Sequence, residues 1–217
     1  MIDFRQLKRA NEARHTHLGD YAILKADGLG ARAAPEVESR LEAVRGYLPP
    51  IRMEALRQLP DGSFGREYAR HMDDCKLQPF EVSERVEREV IERNVFAARY
   101  AVTHDIFHLL LGFDTTWAGE MGVLAFAAAQ GYSRALRVSL VAAAVLYPLF
   151  SPRLARRTWR NLRRGWRLGK KAGFLLGQRF EEQWERPLVE VRRGLGLPEN
   201  PGPDAEPAAS SPALAGV

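Results

Sequence analysis

Apolar residues recur at helical spacing along most of the chain, and no stretch shows the strict alternation of a half-buried strand. The segment PEVESRLEAVRGYL, residues 35–48, illustrates the pattern. Its apolar side chains are three or four positions apart: Val37, Leu41, Val44 and Leu48. Pro35 suits a first helical turn, and two prolines follow the segment. The pattern therefore predicts one helix over residues 35–48, with a single stripe facing a core.

The same spacing predicts helices elsewhere, and hence an all-α fold. The expected helices are two short ones at about residues 52–59 and just after Ser63, a long central one over residues 83–111, a buried pair over residues 121–150, a basic one within residues 151–171, and a last one over residues 174–195. Five prolines and many small residues in the last twenty positions predict a disordered tail. We expect a single helical domain over residues 1–197 and a Pro/Ala-rich tail over residues 198–217.

The stretch HDIFHLLLGFDTTWAGE, from His104 to Glu120, brings two histidines close to acidic residues. On a helix, His104, Asp105 and His108 lie on one face, because their spacing keeps them within about 100° of arc. Gly112 predicts the end of that helix, and good N-cap residues follow, so a short loop would make two helices antiparallel neighbours. Glu120 then lies one turn past the loop. We expect it to face the histidines in a helix-loop-helix at the centre of the domain.

Two imidazoles with one or two carboxylates favour a borderline divalent ion, Zn, Fe, Mn or Co, since Ca and Mg prefer oxygen ligands alone. A structural zinc usually recruits cysteines, so this set is more typical of a catalytic or substrate-holding metal. The alternative is a helix pair without metal, in which Asp105 and backbone groups satisfy the two histidines.

The spacing HDxxH-x₁₁-E, at His104, Asp105, His108 and Glu120, resembles the signature of the ubiquinone (coenzyme Q) biosynthesis protein Coq-four family. Three further segments are also similar to that family: LPDGSFGREYARHM at residues 59–72, the Arg-Tyr pair at residues 99–100, and GQRFEEQWERPLVEVRRGLG at residues 177–196. The likeness covers roughly residues 57–196. The segment before the motif departs from the acidic stretch of eukaryotic members, which affects expected partner contacts more than the metal face.

The resemblance implies a helical, membrane-associated protein that handles a polyprenylated aromatic precursor of ubiquinone. It implies that His104, Asp105, His108 and Glu120 hold a divalent metal, which would act as a Lewis acid on the substrate's carboxylate and phenolate. Members are described as enzymes that oxidatively replace the ring carboxylate by a hydroxyl, and also as non-catalytic organisers of the biosynthetic complex. Other ubiquinone biosynthesis proteins are therefore expected partners.

Residues 151–171 contain nine basic side chains and no acidic one, with Trp159, Leu162 and Trp166 at helical spacing among them. This pattern is typical of a basic amphipathic helix on an anionic membrane surface. The residues that we expect at that surface are Arg156, Trp159, Arg160, Arg163, Trp166, Arg167 and Lys170. The alternative is a solvated basic face with its tryptophans docked into the core. Nucleic acid ranks lower as a partner, because no nucleic-acid motif accompanies the stripe.

Cysteine content and the apolar runs bear on the compartment of the protein. The one cysteine, Cys75, excludes an internal disulfide and fits a reducing compartment. The N-terminus has no signal-like apolar run, and the clean apolar run at residues 138–150 is too short to span a bilayer. We expect a peripheral protein on the cytoplasmic face of the inner membrane, and a homodimer is compatible with the sequence. Near the C-terminus, Glu181, Glu182 and Glu185 are candidates for reaching the metal or for pairing with arginines.

Three classes of function remain open at this point: a metal-dependent enzyme acting on a prenylated benzenoid, a lipid-binding organiser, and a histidine-aspartate phosphohydrolase. The third class usually needs a further histidine upstream of the motif and an aspartate well downstream. His71 could supply the first, but residues 121–150 contain no aspartate. The first class is favoured over the other two.

Overall fold

The computed structural model of the chain describes residues 2–150 and 154–201. Within these residues the fold is all-α, as predicted, apart from one isolated bridge between Ser63 and Pro187. The α-helices are α1 (Phe4–Ala13), α2 (Leu18–Gly28), α3 (Pro35–Glu38), α4 (Met53–Leu56), α5 (Phe64–Cys75), α6 (Arg88–Arg93), α7 (Val95–Leu111), α8 (Trp117–Ala129), α9 (Arg134–Phe150), α10 (Ala155–Lys171) and α11 (Leu188–Gly194). Two 3₁₀ helices, at Ser39–Val44 and Phe180–Glu182, accompany them.

Helix α7 lies at the centre of the molecule, since thirteen of its seventeen residues are buried. A helix that is apolar on all sides needs neighbours on all sides. Phe107 of α7 illustrates this, because its ring contacts three aromatic rings from different segments at centroid distances of 6.1–6.3 Å: Phe126, Tyr132 and Phe180. The main apolar core forms around these contacts and reaches from residue 34 to residue 197.

The helix predicted over residues 35–48 is shorter than expected. It begins at Pro35 as predicted, continues as a 3₁₀ helix from Ser39 to Val44, and ends before Gly46, which has a φ of +69°. The apolar stripe is nevertheless buried at Val37, Leu41 and Val44. The last two lie three positions apart, which is one full turn of a 3₁₀ helix. The pattern therefore identified the buried side chains but not the type of helix.

The prediction of one continuous helix over residues 83–111 was wrong, because the first helix of this stretch begins at Arg88 and Asn94 divides α6 from α7. Its backbone is not helical, and its side-chain oxygen accepts a hydrogen bond from the Ala97 N–H at the start of α7. Its amide nitrogen donates to Asp27 and to the carbonyl of Ala31. The buried Asn94 side chain thus joins the N-terminal helices to the start of α7, which a continuous helix could not allow.

The last helix was predicted over residues 174–195, and only its final part is α-helical. Pro187 precedes α11, and the segment before it is bonded to other parts of the chain. The carbonyls of Arg186 and Trp184 accept hydrogen bonds from the N–H groups of Phe64 and Gly65. A helix would have used those carbonyls internally. Proline also disfavours helical geometry at the residue before it, which is the signal that apolar spacing alone overlooked.

Helices α8 and α10 pack closely through glycine. A Cβ atom added at Gly165 would lie 2.0 Å from the carbonyl oxygen of Gly122, so only glycine permits this approach. By contrast, the part of α9 up to Val145 leaves one face exposed, and the prediction of a buried helix pair over residues 121–150 fails for that face. Val138, Val141 and Val145 are exposed there. Within the part of the chain that the structure describes, no helix has both the length and the apolar character needed to cross a membrane.

The two ends of the described chain both contact the core. Helices α1 and α2 form a hairpin that packs beside α6 and α7. At the other end, residues 198–201 fall in the predicted tail but contact the domain: the Glu199 carbonyl accepts a hydrogen bond from Arg192, and Pro201 lies against Gly112. The remainder of the predicted tail, residues 202–217, lies outside the described residues. The predicted boundary at residue 197 stays a prediction.

Candidate metal centre

The loop between α7 and α8 follows the predicted geometry closely. Gly112 adopts the left-handed conformation, with φ 64° and ψ 41°, and its backbone ends α7. Thr116 is the N-cap of α8, and its hydroxyl accepts a hydrogen bond from the Gly119 N–H. Asp114 accepts hydrogen bonds from the backbone and hydroxyl of Thr116. These residues fix the relative position of α7 and α8, and so the distance between the side chains on either side of the loop.

Glu120 of α8 meets both histidines of α7, as predicted from the sequence. Its Oε2 lies 3.3 Å from His104 Nε2, and its Oε1 lies 3.1 Å from His108 Nε2. The ligand atoms of these three residues are all within 4.8 Å of one another. They form the one group of three or more histidine, cysteine or acidic side chains with that geometry among the described residues.

The three side chains fit a divalent metal ion. Two ligand atoms bound to one ion at about 2.1 Å lie about 3.0–3.4 Å apart in tetrahedral or octahedral geometry, close to the distances that Glu120 makes here. His108 Nε2 is buried and has no hydrogen-bond partner, although Glu120 Oε1 is near. A buried, unsatisfied imidazole nitrogen is costly unless a ligand occupies it. The donor set of two nitrogens and one carboxylate suits the ions predicted from the sequence.

The tautomer of His108 is fixed by its second nitrogen. Its Nδ1 lies 3.3 Å from the carbonyl oxygen of Phe113, and a carbonyl can only accept, so Nδ1 carries the proton. The lone pair of His108 is then on Nε2, which faces Glu120. Metal-binding histidines commonly donate their other N–H to a carbonyl or carboxylate in this way. The loop therefore orients His108 as well as ending α7.

Charge around the site is balanced between the histidines and the carboxylates. Burial lowers the pKa of His104, but hydrogen bonds and charge interactions with Asp105 and Glu120 outweigh it and raise that pKa to about 10. Burial raises the pKa of the Glu120 carboxyl, yet the protonated His104 beside it holds that pKa well below its usual range. Without a metal, His104 is therefore protonated and Glu120 ionised at neutral pH. A metal cation would replace that proton.

Asp105 occupies a different position from the other three predicted ligands. One of its carboxylate oxygens lies 3.6 Å from His104 Nδ1, on the opposite side of the ring from Glu120. It is not a member of the three-residue group. A carboxylate at that nitrogen holds the imidazole with Nε2 toward a metal, so the position suits an orienting role. Asp105 as a direct ligand stays a prediction.

Two aromatic side chains that spacing did not place at the site lie against it. The ring of Tyr100 packs edge-on against His104, with centroids 5.7 Å apart. His71 of α5 is parallel to His108 at 6.5 Å, and its Nε2 is buried without a hydrogen-bond partner. Burial lowers the pKa of His71, so its ring is neutral at neutral pH. These rings cover one side of the site: His108 is buried, while the side chains of His104 and Glu120 are 25% and 30% exposed.

The sequence left open what the C-terminal acidic residues do. Glu181 forms a buried ion pair with Arg99 of α7 at 2.9 Å, and Glu182 pairs with Arg179 at the surface. Glu185 is exposed. Neither Glu181 nor Glu182 belongs to the candidate metal group, and of the two alternatives the structure shows pairing with arginine for both. Cys75 is half-buried, and burial raises its pKa.

All seven residues predicted at a membrane surface are exposed on the outer face of α10. The face toward α8 contains the buried Thr158, Leu162 and Gly165. Two arginines of the same helix point to the metal-site loop instead: Arg157 pairs with Asp114, and Arg164 donates to the carbonyl of Leu111. The alternative prediction, tryptophans docked in the core, does not hold for Trp159 and Trp166, which are both exposed.

Comparison with known proteins shows where this architecture occurs. A family model described as coenzyme Q (ubiquinone) biosynthesis protein Coq4 matches residues 49–201. The ubiquinone biosynthesis protein COQ4 homolog, mitochondrial, of Danio rerio is 33% identical over 169 residues, which are 74% of this chain and 59% of the relative. Its counterpart in Bos taurus is 32% identical over 169 residues, 74% of this chain and 60% of the relative. The chain thus spans about three fifths of the length of these curated relatives.

A solved structure has a similar fold. A crystal structure from Nostoc punctiforme, of a protein described as a candidate ubiquinone biosynthesis protein, is similar with a TM-score of 0.62 at 26% identity. The similarity covers 89% of this chain and 87% of the other. The matched family region includes His104, His108 and Glu120. The chain belongs to the Coq4 family of coenzyme Q (ubiquinone) biosynthesis proteins.

Proposed function

We propose that this protein acts in ubiquinone biosynthesis as a metal-dependent enzyme, oxidatively decarboxylating and hydroxylating a polyprenylated benzenoid precursor at the membrane surface. In the net reaction a ring carbon loses its carboxyl group as CO₂ and gains a hydroxyl, which is a two-electron oxidation that uses an external oxidant. The observation that carries the proposal is the convergence of His104, His108 and Glu120 on one point. Family membership supplies the class of substrate.

His104, His108 and Glu120 would hold the ion, and Asp105 would orient His104. When bound, the ion supplies Lewis-acid chemistry toward the carboxylate and phenolate oxygens of the substrate. The chain itself contributes position and electrostatics. The Phe113 carbonyl fixes the tautomer of His108, and the rings of His71 and Tyr100 shield part of the site from water, which strengthens charge interactions there.

Two surfaces formed by α8, α9 and α10 suit a substrate with an isoprenoid tail. A groove of about 630 Å³ lies between α8, α9 and α10, and its lining is mainly apolar, with Leu140, Trp159 and Trp166 among the contributors. The outer face of α10 presents arginines and tryptophans together, which suits anionic lipid headgroups. These features support action at a membrane surface. The proposal places that surface on the cytoplasmic face of the inner membrane, and family membership makes other ubiquinone biosynthesis proteins the expected partners.

The groove also supports a second candidate, a non-catalytic organiser that binds an isoprenoid lipid and assembles the biosynthetic complex. Its apolar lining would bind the isoprenoid tail whether or not the aromatic ring of the lipid reacts. This candidate predicts bound lipid without turnover, whereas the enzyme predicts both. The two are separated by supplying a carboxylated prenyl-benzenoid and dioxygen to metal-loaded protein and following CO₂ release and the hydroxylated product.

The first test is metal content, measured by mass spectrometry on protein purified without chelator. We expect close to one divalent ion per chain in the wild type, and loss of at least nine tenths of it in His108→Ala and Glu120→Ala, because each removes one of three ligands. His15→Ala and Glu54→Ala are matched controls, since both side chains are exposed and distant from the site in sequence. Circular dichroism confirms that each variant is folded.

The outcomes separate the candidates. A metal-free wild type, or a metal that survives both substitutions, would contradict the metal centre and leave the organiser. Metal that both substitutions remove, together with turnover that depends on it, supports the enzyme. Bound metal and bound lipid with no release of CO₂ would contradict the enzyme and favour the organiser.

A further inference from the structure

The outer face of α9 presents an apolar stripe to solvent. Val138, Val141 and Val145 are 70%, 65% and 62% exposed, and they lie three and four positions apart on one side of the helix. Scattered exposed apolar residues are ordinary, but three β-branched aliphatic side chains in one row on a single helix form a patch. We call these three residues the valine stripe.

The valine stripe lies beside the groove between α8, α9 and α10. Leu140 and Ala144 of α9 line that groove, and each is followed by a valine of the stripe, about 100° farther around the helix. Across the groove, α10 exposes Trp159 and Trp166. Apolar surface therefore continues from the stripe through the groove to the tryptophans.

The charge of this part of the chain indicates what covers the stripe. No acidic residue occurs from residue 121 to residue 180, while this segment contains 12 lysines and arginines. The other 157 residues carry 20 basic and 27 acidic side chains, and are therefore net negative by seven. All the excess positive charge of the protein is thus in the segment that contains α9 and α10. A partner with an apolar interior and an anionic surface complements it.

We infer that the valine stripe of α9 enters the acyl-chain region of an anionic lipid bilayer, while the tryptophans and arginines of α10 lie at the headgroups. The inference rests on the membrane association proposed above and goes beyond it, since it assigns hydrocarbon contact to α9. Arg134 and Arg137, in the first turn of α9, can extend to phosphate groups while the rest of the helix lies flat.

The test measures partition of the full-length protein onto vesicles of phosphatidylcholine with and without phosphatidylglycerol. Three chains are compared: wild type, the triple variant Val138→Ser, Val141→Ser, Val145→Ser, and a control triple variant Phe4→Ser, Leu29→Ser, Val189→Ser. The control residues are also exposed apolar side chains but lie outside α8 to α10. Serine adds no charge, so any loss of partition onto the vesicles reports the loss of apolar contact. We expect at least tenfold weaker partition for the stripe variant and less than twofold change for the control.

A second measurement locates α9 directly. Val141→Cys in a Cys75→Ser chain carries an environment-sensitive fluorophore, and Val189→Cys carries the same label as a control. Lipids brominated along their acyl chains should quench the label at residue 141 and leave the label at residue 189 unquenched. Equal quenching at both positions, or none at residue 141, overturns the inference.

Failure of this inference is distinguishable from failure of the proposed membrane association. A wild type that does not bind anionic vesicles overturns both. The stripe variant is also compared with the triple variant Arg156→Gln, Arg160→Gln, Arg163→Gln. If the stripe variant still binds vesicles and the arginine variant does not, the protein associates through α10, and the role of α9 is overturned. If the wild type is a dimer and the stripe variant is a monomer with unchanged vesicle binding, a second copy of the chain covers the stripe. That result also overturns the inference.

Discussion

At the scale of single residues, the candidate metal centre combines groups whose protonation depends on one another. His104 is held protonated by Asp105 and Glu120, while the Phe113 carbonyl keeps the proton of His108 on Nδ1. The lone pair of His108 is therefore available to a metal, and that of His104 becomes available only when its proton leaves. Metal binding and proton release at His104 are thus linked.

This linkage predicts proton release on metal binding near neutral pH. The pKa of His104 in the metal-free protein is about 10, so an incoming ion must displace about one proton from it. Titration calorimetry in two buffers with different ionisation enthalpies should show that release. The apparent metal affinity should also rise as pH approaches 10, by up to about tenfold per pH unit from this one group. Binding with no buffer dependence would contradict a protonated His104.

The same pKa predicts how the metal-free protein responds to alkali. The pKa of His104 in the folded chain is raised from its ordinary value of 6.5, so folding binds this proton more tightly than the unfolded chain does. The stabilisation is fully present below about pH 6.5 and is lost as pH rises through about 10. Thermal unfolding of metal-free protein should therefore show a decline across that range. The His104→Gln variant should lack the part of this decline in thermal stability that comes from His104.

At the scale of elements, apolar spacing predicted where helices occur better than where they are interrupted. The helix-loop-helix around Gly112 was predicted with its cap, its loop and the side chains facing each other, because all of that information is local. The interruption at Asn94 depends on Asp27 and Ala31, more than sixty positions earlier. The extended path of residues 174–187 depends on hydrogen bonds to α5. Contacts of this kind leave little trace in periodicity.

Helices α8 and α10 provide a prediction about stability. Gly165→Ala places a Cβ atom 2.0 Å from the Gly122 carbonyl oxygen, so the two helices must move apart. Overpacking of this kind costs about 1–3 kcal/mol of unfolding free energy, measured by urea denaturation. Gly194→Ala is the control, since a Cβ there meets nothing within 4 Å and the change should be neutral or stabilising by up to about 1 kcal/mol. Equal effects of both substitutions would show that the close contact is absent in solution.

At the scale of the whole molecule, the positive charge and the metal centre are connected through α10. Its outer face presents the exposed arginines, while Arg157 and Arg164 on another side contact the loop that joins α7 to α8. The predicted membrane-binding face and the predicted metal ligands therefore belong to one packed unit. The sequence identified both features but not their proximity, because α10 begins 35 residues after Glu120.

A buried ion pair makes the central helix depend on the C-terminal segment. Arg99 of α7 is fully buried, and its guanidinium contacts Glu181 at 2.9 Å and the carbonyls of Tyr47 and Gln178 at 3.1 and 2.9 Å. Three separate parts of the chain meet at this one side chain. A buried charge of this kind is tolerated only while its partner is present, because desolvation of an unpaired ion is costly.

Glu181→Gln should therefore destabilise the whole fold, by about 3–5 kcal/mol, since it leaves the charge of Arg99 buried without a counterion. Glu182→Gln is the matched control in the next position, because its pair with Arg179 is exposed and should contribute no more than about 1 kcal/mol. Urea denaturation measures both. The double variant Arg99→Met, Glu181→Leu should cost less than Glu181→Gln alone, since it removes both charges and keeps apolar volume. A Glu181→Gln chain as stable as Glu182→Gln would mean that water reaches Arg99, and that the C-terminal segment does not close over α7 as the structure has it.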